Sequence, residues 1–301
     1  MKRDKSLGWR HVEADSLDLG SMNVAIVGGT GGIGRALARA MTARGAHVVV
    51  IGQTFRDGGS RGIEFIKADL SLLSEARRVA TDLPADNLDL VVMTTGVMAG
   101  PRREQTAEGL ERDLAISYLS RFVIVNEIAS RLGKDRPNAG MKPRIFVTGF
   151  PGTGQAGAVD DLNTEKKYGR WRAHSNTVAG NEALVLDAAG RFPEVDFFGL
   201  NPGFVKTNIR GNLFGSNRLL LRTIEWMFGF ATISAETYAA RMIPLLVSPD
   251  LEGHSGAMFN NKAEAILPSP KLMDASYVRA LIDASEALVL RASKSNTKGA
   301  G

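Results

Sequence analysis

The chain contains no cysteine. That excludes a disulfide framework and any thiolate metal site. Histidine is scarce: His11, His47, His174 and His254 lie far apart, and none is paired at four-residue spacing. No metal centre is expected. No apolar run reaches the roughly 18–20 residues that cross a bilayer. The oiliest stretch, residues 219–230, is short and is interrupted by Arg222 and Glu225. The N-terminus has charge but no apolar core, so it does not read as a secretory signal. There is no long-period repeat and no low-complexity linker. A strong charge excess is also missing: 37 Lys+Arg face 32 Asp+Glu, a net +5. Part of that excess sits at Lys2, Arg3, Lys5, Arg10, Lys294 and Lys298. Such ends can hold phosphate or a membrane surface, but a solvated terminus is the simpler reading. A cytoplasmic protein is expected, without a nucleic-acid partner and with peripheral membrane contact left open.

What the chain does have is a globular balance. It has 301 residues, 44% apolar and 23% charged, enough for one substantial core. Residues 1–21 are polar and read as an extension. From residue 22 the pattern becomes strand, turn, helix, repeatedly. Short apolar runs at 24–27, 47–51, 63–66, 88–93, 144–147 and 195–200 read as buried strands, with a seventh at 257–259. Helical spacing covers 35–44, 74–81, 108–132 and 177–189, with Gly190 as a C-cap. This alternation predicts an α/β fold, a Rossmann-type doubly wound parallel sheet of about seven strands. The single domain spans 22–262. Residues 204–245 break the rhythm as an insertion, and 263–301 form a C-terminal helix and basic tail.

The first strand runs into Gly28-Gly29-Thr30-Gly31-Gly32-Ile33-Gly34, and a helix follows. Without a Cβ the backbone turns tightly and approaches a pyrophosphate closely. The helix N-terminus then offers free N–H groups and the positive end of its dipole. In that context the glycine run predicts dinucleotide binding.

The spacing of Gly28, Gly32 and Gly34 is similar to the TGxxxGxG turn of the short-chain dehydrogenase/reductase family, with Val27 where the family usually has threonine. Asp69-Leu70 resembles the family's pair beside the adenine ring. Met93-Thr94-Thr95-Gly96 stands where the family has NNAG. Asn201-Pro202-Gly203-Phe204-Val205-Lys206-Thr207 is similar to the PGxVxT segment beside the nicotinamide. The resemblance covers about residues 22–262. Residues 161–173, DLNTEKKYGRWRA, look like the retinol-dehydrogenase-like branch, DLNxEKKYxxWKAYxxSKxAN. The branch implies an NAD(P)-dependent alcohol or carbonyl reaction on an apolar substrate. On the resemblance, the cofactor-binding residues are Gly28, Thr30, Gly32, Ile33, Gly34, Gln53, Asp69, Leu70, Thr94, Gly96, Pro202, Gly203, Val205 and Thr207.

The family's chemistry uses a tyrosine as proton carrier, a lysine one turn later, a serine on the substrate carbonyl and an asparagine that keeps a water relay in place. Here the tyrosine falls on His174, the lysine on Val178, the serine on Phe150 and the asparagine on Ser117. A valine methyl cannot donate to a ribose hydroxyl, and a phenylalanine cannot bond a carbonyl. Two rescues follow. Tyr168 and Arg172 keep a Tyr-x-x-x-basic spacing, although arginine is a poor stand-in for lysine. Alternatively His174 replaces the tyrosine, since imidazole is an acid or base near neutrality; the competing reading is a packed or surface histidine at a helix start. Ser175 is then read as that helix's cap. The catalytic candidates are His174, Ser117 and Tyr168.

The cofactor is NADP or NAD. No acid ends the second strand, the branch's arginine position falls on Gln53, and Arg56 or Arg61 could reach a 2′-phosphate, which leans the reading to NADP. Leu213, Phe214, Leu219, Leu220, Leu221, Trp226, Met227, Phe228 and Phe230 form an apolar cluster that reads as a substrate lid, a membrane-surface helix or an oligomer face. The resemblance implies a homodimer or homotetramer, commonly built through the two long helices. Three functions stay open: an atypical oxidoreductase, an inactive dehydrogenase-fold protein that binds nucleotide or scaffolds (a pseudoenzyme), and a non-redox cyclase or isomerase.

Overall fold

In the computed structural model the described residues are 1–136, 140–206 and 233–298. The core is an eight-stranded sheet, one strand more than expected. Its strands are β1 (Asn23–Val27), β2 (His47–Gly52), β3 (Ile63–Lys67), β4 (Leu90–Met93), β5 (Arg144–Thr148), β6 (Asp196–Leu200), β9 (Met258–Phe259) and β10 (Ala265–Ile266). The order is β10-β9-β6-β5-β4-β1-β2-β3. All neighbours are parallel except β10, which returns antiparallel on β9. A two-residue strand in a tight return carries too little pattern to be read from sequence, which is why β10 was not foreseen. A second small sheet pairs β7 (Val205–Lys206) with β8 (Ile233–Ser234).

The alternation of side chains across the strands splits the core into two layers. Val24, Ile26, Val48, Val50, Phe146 and Phe198 face one side. There they meet α1 (Gly32–Thr42) and α6 (Ala235–Leu246). Ala25, Val27, Ile51, Val91 and Met93 face the other. That side is covered by α2 (Leu73–Asp82), α4 (Ser120–Ile128), α5 (Arg170–Arg191) and the C-terminal α7 (Ala275–Lys298). The chain leaves β1 for β2 and β3 on one side, then crosses to β4 on the other. That reversal opens a crevice at the carboxyl ends of β1 and β4.

Two helices differ from the expectation in ways that matter. The segment predicted as one helix over 108–132 is compound. Gly109 turns with φ +81°, and the helix starts only at α3 (Arg112–Leu114), where the Glu111 carboxylate caps the Leu114 N–H. A π-helical turn, Ala115–Leu119, joins it to α4. The helix predicted over 177–189 is longer. It begins at Arg170 behind an extended Gly169 and passes through Gly190 to Arg191, so Gly190 is not its C-cap. The Asp161 carboxylate collects the backbone N–H groups of Glu165, Lys166 and Lys167 and delivers the chain to α5 early. Ser175 is thus inside the helix, where its hydroxyl donates to Gln155, and it does not cap.

The N-terminal extension is seated on the sheet edge. Asp4 N–H donates to Ala265 O and Leu267 N–H to Lys2 O, and the Trp9 indole donates to Ala263 O. α7 lies along α5, and Ser285 on it is 2.7 Å from the Tyr118 hydroxyl. No described helix is long and apolar enough to cross a membrane. Thr207 and the apolar cluster at 213–230 lie outside the described residues.

Candidate active site

The crevice is built by the glycine turn. Gly28 sits at φ +91°, and a Cβ there would lie 2.4 Å from the Thr95 backbone nitrogen. The Gly28 and Gly29 N–H groups both donate to Ile51 O, which ties the turn to the end of β2. Gly31 precedes α1 in an extended conformation, with no side chain capping the helix. A Cβ on Gly31 would meet nothing within 4 Å. The first turn of α1 therefore keeps N–H groups without intrahelical partners. The turn opens on a groove of about 440 Å³.

That groove brings together Gly28, Thr30, Gly32, Ile33, Gly34, Gln53, Asp69, Leu70, Thr94 and Gly96, ten of the sequence-predicted residues, and adds Arg56, Thr95 and Arg112. Asp69 accepts from Gln53 (2.9 Å) and from Ser71 N–H (3.0 Å). Burial alone would raise its pKa, but the Ser71 and Gln53 donors outweigh it and hold the carboxyl below its usual range. Thr95 Oγ1 is buried without a partner. An uncapped helix start, an unblocked glycine and an unused hydroxyl on one groove fit a dinucleotide pyrophosphate. Pro202, Gly203 and Val205 are not in this lining. They follow β6, two strands beyond β4, where Asn201 accepts from Gly203 N–H (3.0 Å) and donates to Pro151 O (2.9 Å).

The second cluster lies on α3, the π turn and α5. Ser117 accepts from Val97 N–H at 2.9 Å and so ties the π turn to the loop after β4. Its carbonyl accepts from Asn181 of α5. His174 is one helical turn before Val178, which is buried. Its Nδ1 is 3.3 Å from Asp113 Oδ2, and the Phe150 ring meets its ring edge-on at 5.8 Å between centroids. Tyr168 is placed differently. Its hydroxyl donates to Gly100 O at 2.6 Å, while Arg172 turns to Asp161 at 3.6 Å. The phenol is pushed above its usual pKa by burial and by the charges of Glu111 and Asp113.

Two residues were not singled out from sequence as functional. Asp113 is the histidine's partner. Arg121 is 2% exposed and donates to Thr95 O, Thr148 O and Asn181 Oδ1. It thereby ties the ends of β4 and β5 to α5. Burial pushes its pKa down to about 9. The available signal was a lone arginine amid Leu119, Phe122, Val123 and Ile124; a charge in an apolar helix demands a buried partner. Among the described residues no cluster of acidic or histidine side chains could hold a metal.

Comparison with known proteins agrees with this architecture. The family model described as short chain dehydrogenase matches residues 22–140. An uncharacterized oxidoreductase of Saccharomyces cerevisiae is 48% identical over 97% of this chain and 95% of its own length. Retinol dehydrogenase 14 of Mus musculus is 27% identical over 88% and 85%. Among solved structures, a protein of Mycobacterium paratuberculosis superposes with a TM-score of 0.69 at 22% identity, covering 92% of this chain and 97% of that one, a likeness of fold.

Proposed function

The chain belongs to the short chain dehydrogenase family, and on that premise we propose that it is an atypical NAD(P)-dependent oxidoreductase acting on the carbonyl or alcohol of an apolar substrate. The observation that carries this reading is the open glycine turn: α1 begins uncapped on a groove lined by Thr30, Gln53, Asp69 and Thr94. A bound reduced nicotinamide supplies the hydride. Gly28, Gly32 and Gly34 shape the pyrophosphate seat, and Asp69 with Leu70 meets the base. Pro202, Gly203 and Val205, which follow β6, would meet the nicotinamide end. Ser117 braces the loop after β4. His174 gives the proton to the substrate oxygen in reduction and takes it in oxidation. Tyr168 steadies the loop at Gly100 and does not carry the proton. Arg56 on the groove, with no acid at the end of β2, favours NADP over NAD. A cytoplasmic setting is part of the same reading. α7 packs along α5, one of the long helices by which the family commonly pairs, so we place the contact of a homodimer or homotetramer on another surface.

The replacement of the usual lysine and serine by Val178 and Phe150 favours a second reading, a nucleotide-binding subunit without turnover. Titration with NADPH and NADH, followed by a panel of apolar aldehydes and ketones, separates the two. We expect NADPH to bind about tenfold tighter than NADH and Arg56→Ala to erase that difference. We also expect His174→Phe to lose about 100-fold or more in kcat with nucleotide affinity kept. Nucleotide binding with no turnover of any carbonyl would leave the second reading, and silence with both nucleotides would remove the enzyme.

A further inference from the structure

The geometry points to Asp113 as a positioning residue that fixes the proton on His174, an inference that rests on His174 being the proton carrier. The Asp113 side chain is 0% exposed, its Oδ2 lies 3.3 Å from His174 Nδ1, and its Oδ1 has no partner. A carboxylate kept dry with half its bonding capacity unused is costly, and a structure that keeps one has a use for it. Starting the helix is not that use, because Glu111 caps the Leu114 N–H at 2.8 Å. Nor does Asp113 brace the strands, a task that falls to Arg121 through Thr95, Thr148 and Asn181. Arg121 also provides the buried cation whose field Asp113 shares. What remains for Asp113 is the imidazole.

A carboxylate on Nδ1 keeps a proton there and leaves Nε2 for the substrate. In reduction the imidazolium would give its Nε2 proton to the carbonyl oxygen, and a bound reduced nicotinamide would supply the hydride for the carbonyl carbon. The ring is left neutral with Nδ1–H still on Asp113, and solvent returns the proton. His174 retains 12% side-chain exposure for that return. The ring itself meets Asp113 and Phe150. Glu111 and Arg121, from the α3–α4 helix, and Tyr168, from the loop before α5, all feel the Asp113 charge. Arg172 is committed to Asp161 and Tyr168 to Gly100.

Asp113→Asn in the full chain is the test. We expect kcat to fall about 10- to 100-fold, nucleotide affinity to stay within about twofold, and the neutral ring to lose its preference for the Nδ1 proton in the ¹⁵N imidazole spectrum, because the carboxylate that holds that proton is gone. An unchanged tautomer in the variant overturns the proposal whether or not the rate falls, since a merely structural loss would not move it. Should the variant fail to fold, the ¹⁵N imidazole spectrum of the native protein decides: a neutral ring protonated at Nδ1 upholds the assignment, and one protonated at Nε2 overturns it. Full turnover in His174→Phe would remove the proton carrier itself. An unchanged tautomer in Asp113→Asn alone would leave that carrier standing and remove only Asp113.

Discussion

The two halves of this molecule have treated the same inheritance differently. In the half from β1 to β4 the backbone shapes the groove, and the glycines that let it come so close are in place. Gly28 packs on Thr95, Gly34 on Thr94, and the turn is sewn to Ile51. In the proposed reacting half, from the π turn to α5, side chains would do the work, and on the family resemblance each expected donor falls on another residue. Phe150, Val178, Ser117 and His174 stand at the four positions, while Asp113 and Arg121 bring charge from one turn before and after Ser117. A backbone site tolerates almost no substitution, because the space itself is the function. A side-chain site can exchange one donor for another if charge and reach are resupplied nearby.

The largest effect that would break this contrast is in the first half. A Cβ on Gly34 would lie 2.3 Å from Thr94 Oγ1 and 2.5 Å from Gly28 O. Neither α1 nor the turn can yield without moving the phosphate seat. Gly34→Val is expected to weaken nucleotide binding at least about 100-fold by calorimetry. Binding within a few-fold of native would show that the turn is not the seat. The next effect sharpens the second half. Restoring the family's lysine with Val178→Lys should not restore the family's chemistry. Position 178 is 2% exposed and packed in the core, so an ammonium there must be buried or neutralised, at a cost of about 3 kcal/mol or more. Chemical denaturation measures it. A stable, faster variant would mean that the reacting half is a damaged copy and not a rebuilt one.

The same contrast explains what was legible beforehand. The doubly wound sheet and the glycine groove were readable because both follow from backbone rules: buried apolar runs make parallel strands, and glycines after a strand make a phosphate turn. β10 was missed because its two residues return antiparallel on β9, outside the strand–helix alternation that placed the other strands. The start of α5 was misplaced because Asp161, nine residues before Arg170, organises the loop by collecting N–H groups. The Asp113–His174 contact joins residues 61 apart in sequence. No local spacing announces it, since it exists only once α3 packs on α5. Arg121 was visible as an odd charge in an apolar helix, yet its three acceptors come from three different elements.

A smaller effect probes how tightly the reacting half is closed. Glu182 follows Asn181 on α5 and is 1% exposed. It accepts from the Ser269 N–H, from the Ser269 hydroxyl at 2.9 Å and from Gly152 N–H at 3.3 Å, so it clamps the loop that carries Phe150. Burial raises its pKa, and those three donors only partly oppose the shift. The sign follows from linkage. A carboxyl that binds its proton more tightly folded than unfolded stabilises the fold most when protonated. That contribution falls as pH rises from the unfolded value through the folded one. Other carboxyls pull the opposite way: Asp57, through its bonds to Arg35, and Asp161, whose backbone donors outweigh its burial, are both held low. The informative quantity is therefore the difference between native protein and Glu182→Gln. The native chain should lose stability relative to the variant as pH climbs from about 4.5, and the difference should level once Glu182 is ionised. Melting curves across that range read it directly. A difference that grows in favour of the native chain with rising pH would mean that the Ser269 and Gly152 donors outweigh burial, and that the loop is held by an anion rather than by a neutral acid.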